Sequence, residues 1–190
     1  CLPIATAIML CMACVAAAQD WQPIPRRIPP EGIDIPKDKT DALYDAAIEL
    51  MKQGRGDAVA PEGDIDAFIK AVEWAILLGE FYKPQDIDKA YAVLEVAKQR
   101  IAERQAGGEP SWHRQTGRVV RGYISDIDDS PQPYGLEIPD GHDFDKPCPL
   151  YVWLHGRGDK NTDMHFIHER MTRGCPISEH VTDGIILHPF

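Results

Sequence analysis

Residues 149–159, Pro-Leu-Tyr-Val-Trp-Leu-His-Gly-Arg-Gly-Asp, hold the pattern best suited to chemistry in this chain. An apolar run, Leu150 to Leu154, breaks off at His155-Gly156-Arg157-Gly158. A buried strand ending in a glycine-rich turn is expected there. Gly156 and Gly158 carry no Cβ, so the main chain is free to take positive φ and to approach a ligand closely. The backbone amides of Arg157 and Gly158 could then face an oxygen that turns negative during acyl transfer, an oxyanion hole. In that role His155 and Gly156 support the turn, and His155 orients the loop rather than exchanging protons. An ordinary tight turn between strand and helix, with glycines that serve geometry alone, explains the same residues. Local sequence leaves both readings open.

A nucleophile to match the turn is not evident. No G-x-S-x-G occurs in the chain, and that is the spacing that lifts a serine onto a sharp strand-to-helix elbow. His165-Phe-Ile-His168-Glu169 sets two histidines on one helical face with Asp159 and Asp163 near by. The spacing is neither H-E-x-x-H nor H-x-x-E-H, so a partly buried, hydrogen-bonded helix is expected, with no metal. Asp126-Ile-Asp-Asp129 lacks the glycine and glutamate of a calcium loop and is expected to be a solvated turn. Arg-Gly-Asp occurs within both 54–57 and 156–159; a three-residue match carries no inference about adhesion. No cofactor is expected.

The elements that would position the turn follow from periodicity. Leu43, Ala46, Ala47, Leu50 and Met51 share a helical face, with Thr40 as a candidate N-cap and Gly54 as a stop. Ile65, Phe68, Ile69, Val72, Ala75 and Ile76 repeat the pattern between Asp64 and Gly79, and Ile87, Ala90, Tyr91, Leu94, Ala97 and Ile101 repeat it between Pro84 and Gly107. Three such helices can form a small bundle over residues 40–108. Their aromatic residues Phe68, Trp74, Phe81, Tyr82 and Tyr91 are expected as core and rim rather than a ligand box. From Ser111 the period becomes alternating. Val119 to Ile124 and Tyr134 to Ile138 predict a hairpin. Leu150 to Leu154, apolar at every position, predicts a strand covered on both faces. Residues 161–173 are helical, and Ile185 to His188 form a fourth strand joined to the third by a right-handed parallel crossover. An unpaired edge is expected at Ile185 to Leu187.

Composition bounds the partners. A formal net charge of −10 argues against nucleic acid and against an anionic membrane surface. Leu2 to Ala18 is uncharged and apolar and ends in Ala16-Ala17-Ala18. This pattern predicts a secretory signal peptide over residues 1–18 without its basic start, and hence a secreted or periplasmic protein with no membrane insertion after cleavage. A buried helix and a lipidated Cys14 are the other readings. Pro23, Pro25, Pro29, Pro30 and Pro36 make residues 19–39 an extended linker. Past the signal, Cys148 and Cys175 remain, and an even count in an exported protein permits a disulfide as well as two separate thiols.

Two strands, a third ending in His155-Gly156-Arg157-Gly158, a helix, and a fourth strand ending in His188-Pro189-Phe190 together resemble the N-terminal half of an α/β-hydrolase. More narrowly, residues 119–190 resemble secreted prolyl-oligopeptidase-like and polyhydroxyalkanoate-depolymerase or feruloyl-esterase-like hydrolases. Pro133-Tyr-Gly-Leu136 with Ile138-Pro139 matches their second strand, and residues 149–159 their third strand and oxyanion turn. The resemblance implies an incomplete α/β-hydrolase sheet over residues 112–190, preceded by a small helical module. It also implies a Ser, Asp, His triad whose members all follow Phe190, so that His188 is not the catalytic histidine. The expected function is hydrolysis of a small-molecule ester or peptide by a serine hydrolase when the protein is full length, the fragment itself being inactive. A non-catalytic secreted protein that binds through its helices is the alternative. Oligomeric state is not legible.

Overall fold

A computed structural model of the chain describes residues 29–55, 62–154, 156 and 158–190. The signal-like segment, the first part of the proline-rich linker, and His155 and Arg157 lie outside the described residues. The chain folds as helices packed on a small mixed four-stranded sheet. Helix α1 spans Lys37–Arg55, α2 Gly63–Leu77 and α3 Asp86–Ala106. Strands β1, Gly117–Ile124, and β2, Pro131–Ile138, follow. Then come β3, Leu150–Val152, helix α4, Asp163–Thr172, and β4, Ile185–Pro189. No helix among the described residues is long and apolar enough to cross a membrane.

The helices form where the apolar stripes predict them, with shifted ends. Helix α1 starts at Lys37, three residues before Thr40, because Pro36 has no amide to leave unpaired and its carbonyl takes the amides of Lys39 (3.0 Å) and Thr40 (3.2 Å). The Thr40 hydroxyl bonds back to the Lys37 carbonyl instead of capping. Helix α3 ends where Gly107 adopts a φ of 78°. Helix α2 is the centre of the molecule. It is buried from Gly63 to Val72 and touches α1, α3, α4, β1 and β2. Such all-round burial departs from a one-sided amphipathic helix, and the neighbours on every side explain it.

The strand order is β1-β2-β4-β3. β1 and β2 form the expected hairpin, with Gly117 opposite Ile138 and Ile124 opposite Pro131. Its turn is closed by Ser125 and Ser130 (2.9 Å), and Asp128 accepts from the Ser130 hydroxyl at 2.7 Å, so the acidic run serves the turn itself. β4 runs antiparallel to β2 and parallel to β3. The crossover therefore places β4 inside the sheet and leaves β3 at its edge. Two expectations fail here. The open edge is β3, not Ile185 to Leu187, and β3 is not covered on both faces: Leu150 and Val152 are 58% and 53% exposed. No described strand pairs beyond it, and α4 packs against β1 and β2 rather than over β3, so its faces stay open. The strand is also shorter than Leu150 to Leu154.

Helices and sheet share one core. Leu43, Phe68, Val72, Val93 and Ile101 from α1, α2 and α3 belong to the same buried cluster as Val120 of β1 and Met164, Phe166 and Ile167 of α4. Each large side chain buried in this way contributes about 1.5–3 kcal/mol. At the junction α2 crosses β1 at glycines: a Cβ on Gly122 would lie 2.0 Å from the Gly63 carbonyl oxygen. Beside the crossing, Asp64 accepts from the Gly122 amide (2.8 Å), Arg121 Nε (2.8 Å) and Trp112 Nε1 (3.1 Å). Buried Arg100 donates to the carbonyls of Asp64 (2.7 Å) and Val120 (2.6 Å). Burial pushes the Asp64 carboxyl up, but Arg121, the Gly122 amide and Trp112 hold it below its ordinary value. Of the aromatics, Phe68 and Phe81 are core, and Trp74 and Tyr91 are rim.

Candidate functional site at the glycine turn

The turn after β3 is built by its two neighbours. The Trp153 amide bonds to the Leu187 carbonyl at 2.9 Å, so pairing with β4 continues one residue past β3. The chain then leaves the sheet through Leu154, Gly156 and Gly158, all exposed. The Gly158 carbonyl accepts the Asn161 amide at 3.0 Å, which turns the chain into α4. Helix α4 is seated by an ion pair, Asp163 with Lys70 of α2 at 2.9 Å, both largely buried. Asp163, considered near a metal, is thereby engaged elsewhere.

Two clefts meet at this turn. One, of about 570 Å³, is lined by Trp153, Gly156, Gly158, Arg170, Cys175 and Pro176, among others. The second, of about 410 Å³, lies toward the helices and is lined by Lys89, Gly158, Lys160, His165, His168 and Arg173, among others. Space is open around Gly156, where an added Cβ would meet no atom within 4 Å. Of the four residues predicted for the turn, Gly156 and Gly158 stand at the carboxyl end of β3 beside a cleft. That is where open α/β sheets place their ligands. His155 and Arg157 lie outside the described residues.

The wall of the larger cleft is held by a buried polar network that sequence reasoning missed. The stem of Arg170 crosses Gly135 of β2, where a Cβ would meet its Cγ at 2.9 Å. Its guanidinium lies 2.7 Å from Glu169 Oε1 and 3.3 Å from His188 Nδ1. His188, 1% exposed, faces Glu137 Oε1 with Nε2 at 2.7 Å. Glu137 also accepts the Cys175 amide at 2.8 Å and the Ser178 hydroxyl. An arginine only donates, so Nδ1 must accept and the His188 proton sits on Nε2, pointing at Glu137. Burial pushes the Glu137 carboxyl up, while Ser178, the Cys175 amide and His188 pull it down past its ordinary value. Both ring nitrogens of His188 are thus engaged, one by Arg170 and one by Glu137.

Glu137, Cys175 and His188 also offer one ligand atom each within 4.8 Å of one another. The surroundings do not suit a metal. A ligating histidine donates its second N–H outward, whereas here a fixed cation donates inward to Nδ1. Cys148 and Cys175 are free thiols, so the two-thiol reading describes this structure.

On the helical side, His165 is held by Thr162 Oγ1 at Nδ1 (3.1 Å) and lies 3.2 Å from Asp86 through Nε2. Asp86 also receives the Tyr82 and Lys83 amides, at 2.8 and 2.9 Å, and Lys89 at 2.7 Å. Burial raises the Asp86 carboxyl, but Lys89, the Tyr82 amide and His165 bring it to about 2. Burial lowers His165 despite Asp86. Burial, then Lys89 and His165, lower His168. No three-ligand group forms around these histidines among the described residues. One signal for the missed network was present in the sequence: His188 two residues after Ile186 in an apolar strand, a polar group that burial obliges to find partners.

Comparison with protein-family models, curated proteins and solved structures finds no match.

Proposed function

We propose that this chain carries the oxyanion turn of an exported serine hydrolase of the α/β-hydrolase fold, acting on an ester or peptide bond. The observation that carries the reading is the parallel β3–α4–β4 unit. It sets two exposed glycines at the carboxyl end of β3 against a cleft of about 570 Å³. The edge position of β3 supports it too, since a further strand can pair there. In this reading the nucleophile, acid and base lie C-terminal to Phe190. A serine oxygen attacks the carbonyl carbon, and a histidine takes its proton and passes it to the leaving alcohol or amine. Water then attacks the acyl-enzyme and releases the acid. The amides of Arg157 and Gly158 hold the negative oxygen of each tetrahedral intermediate.

Reading the gene beyond Phe190 and labelling the product with a fluorophosphonate test this. A G-x-S-x-G and labelling of its serine are expected. In that product Gly158→Pro, which deletes an amide, lowers kcat by about 10²–10³-fold, and Arg157→Ala, which keeps its amide, has a smaller effect. A stop codon at once after Phe190, or a folded product that resists labelling, overturns the proposal and favours a non-catalytic binding protein.

A further inference from the structure

The cleft on the helical side of the turn has a chemistry at odds with the whole chain. The formal net charge is −10, yet Lys89, Lys160 and Arg173 converge on one opening with His165 and His168. The carboxylates close to it are mostly committed. Asp86 is buried beneath the floor and occupied by Lys89, two amides and His165. Glu169 on the rim is taken by Arg170 at 2.7 Å. That leaves exposed Asp159 against Lys160 and Arg173, both exposed, neither within ion-pair distance of a carboxylate among the described residues. The Lys160 ammonium is not adrift, since it lies 5.5 Å from the centroid of the Tyr82 ring, which itself stands 5.2 Å from His165. A cation so placed over an aromatic face is partly oriented before any ligand arrives. On the same wall Asn161 Oδ1 is buried without a hydrogen-bond partner. A half turn of that amide exchanges the oxygen for an N–H₂ donor, so the wall's hydrogen bonding is incomplete as it stands.

We propose that this opening is an anion subsite, in which Lys160 and Arg173 seat a carboxylate or phosphate group of the ligand next to Gly158. It rests on the hydrolase reading for its purpose: Gly158 lines both clefts, so a substrate straddling the turn would place its scissile carbonyl there and its anionic group toward α3. The substrate class is then an ester or amide that bears a negative charge.

The subsite is tested on the chain itself by ¹⁵N amide shifts during titration with inorganic phosphate and with succinate at low ionic strength. Saturable shifts are expected at Gly158, Asn161 and the start of α4. Lys160→Met with Arg173→Met weakens binding about tenfold, as expected for losing two exposed charge contacts. Added salt weakens it as well. Both side chains are exposed, so the variant melts with the parent, which a thermal scan verifies. Saturation by phosphate alone assigns a phosphorylated ligand, and by succinate alone a carboxylate. Shifts that never saturate, or saturable binding that the double variant leaves unchanged, overturn the subsite. Anion binding without fluorophosphonate labelling of the longer product sinks the hydrolase reading only. Labelling without anion binding sinks the subsite only.

Discussion

Replacing Glu137 probes the network behind the larger cleft, and two variants separate charge from hydrogen bonding. Glu137→Ala removes the acceptor of the His188 Nε2 proton (2.7 Å), the Cys175 amide (2.8 Å) and the Ser178 hydroxyl. The Ser178 hydroxyl has a second acceptor, the Cys175 carbonyl at 2.7 Å, so it is not stranded. The other two donors are, at about 1–3 kcal/mol each, and Arg170 loses the anion across the imidazole while keeping Glu169. The expected loss is about 3–5 kcal/mol. Glu137→Gln behaves differently. Its Oε1 still accepts from His188 and Cys175, and its N–H₂ donates to Ser178 Oγ, whose own hydrogen turns to the Cys175 carbonyl. Every donor keeps a partner, and only the charge is lost, at about 1 kcal/mol. Urea unfolding at pH 7, followed by far-ultraviolet circular dichroism and tryptophan fluorescence, measures both. The corresponding melting points fall by about 6–20 °C for alanine and about 2–4 °C for glutamine. An alanine variant within about 1 kcal/mol of the parent refutes the argument, because water must then replace the carboxylate. A glutamine variant as weak as alanine refutes it differently, since charge would outweigh matched donors.

The same accounting applies at the junction of helices and sheet. Asp64→Ala leaves the Gly122 amide, Trp112 Nε1 and the Arg121 guanidinium without their shared acceptor, and a loss of about 3–5 kcal/mol in urea unfolding is expected; a loss under about 1 kcal/mol shows that solvent already satisfies these groups. Acid sensitivity has a defined sign. His165 and His168 are held below their ordinary value of 6.5, so the unfolded chain takes protons first and stability falls as pH drops below about 6.5. The depressed Glu137 carboxyl adds a loss below its ordinary value of 4.5, and Asp86 a further one between about 4 and about 2. The urea midpoint of the parent therefore declines from pH 7 to pH 5 more steeply than that of a His165→Gln, His168→Gln variant; equal slopes reject the lowering of these half-buried histidines.

Residue type and spacing alone determined the local elements. Three apolar stripes of period 3.6 became α1, α2 and α3, and the alternation around residues 119–138 became the hairpin, because a helix or strand must bury whichever face its own period makes apolar. An apolar run cut by two glycines marked where the chain leaves the sheet, and the structure bends it into α4 at the Gly158 carbonyl, although neither Gly156 nor Gly158 takes the positive φ that their lack of a Cβ permits. The chemistry of the turn was not legible, since local residues fit an oxyanion turn and a plain turn equally well. Tertiary structure decided which strand became the edge. Strand order put β4 inside the sheet, and apolar residues at every position of 150–154 signal burial only if layers pack on both faces, whereas α4 settled against β1 and β2. It also decided the partners of His188 and His165. Glu137 lies 51 residues from His188 and Arg170 lies 18 from it. A buried polar residue announces in sequence that it needs a partner, but only the closing of the sheet against α4 determines which group comes within 3 Å.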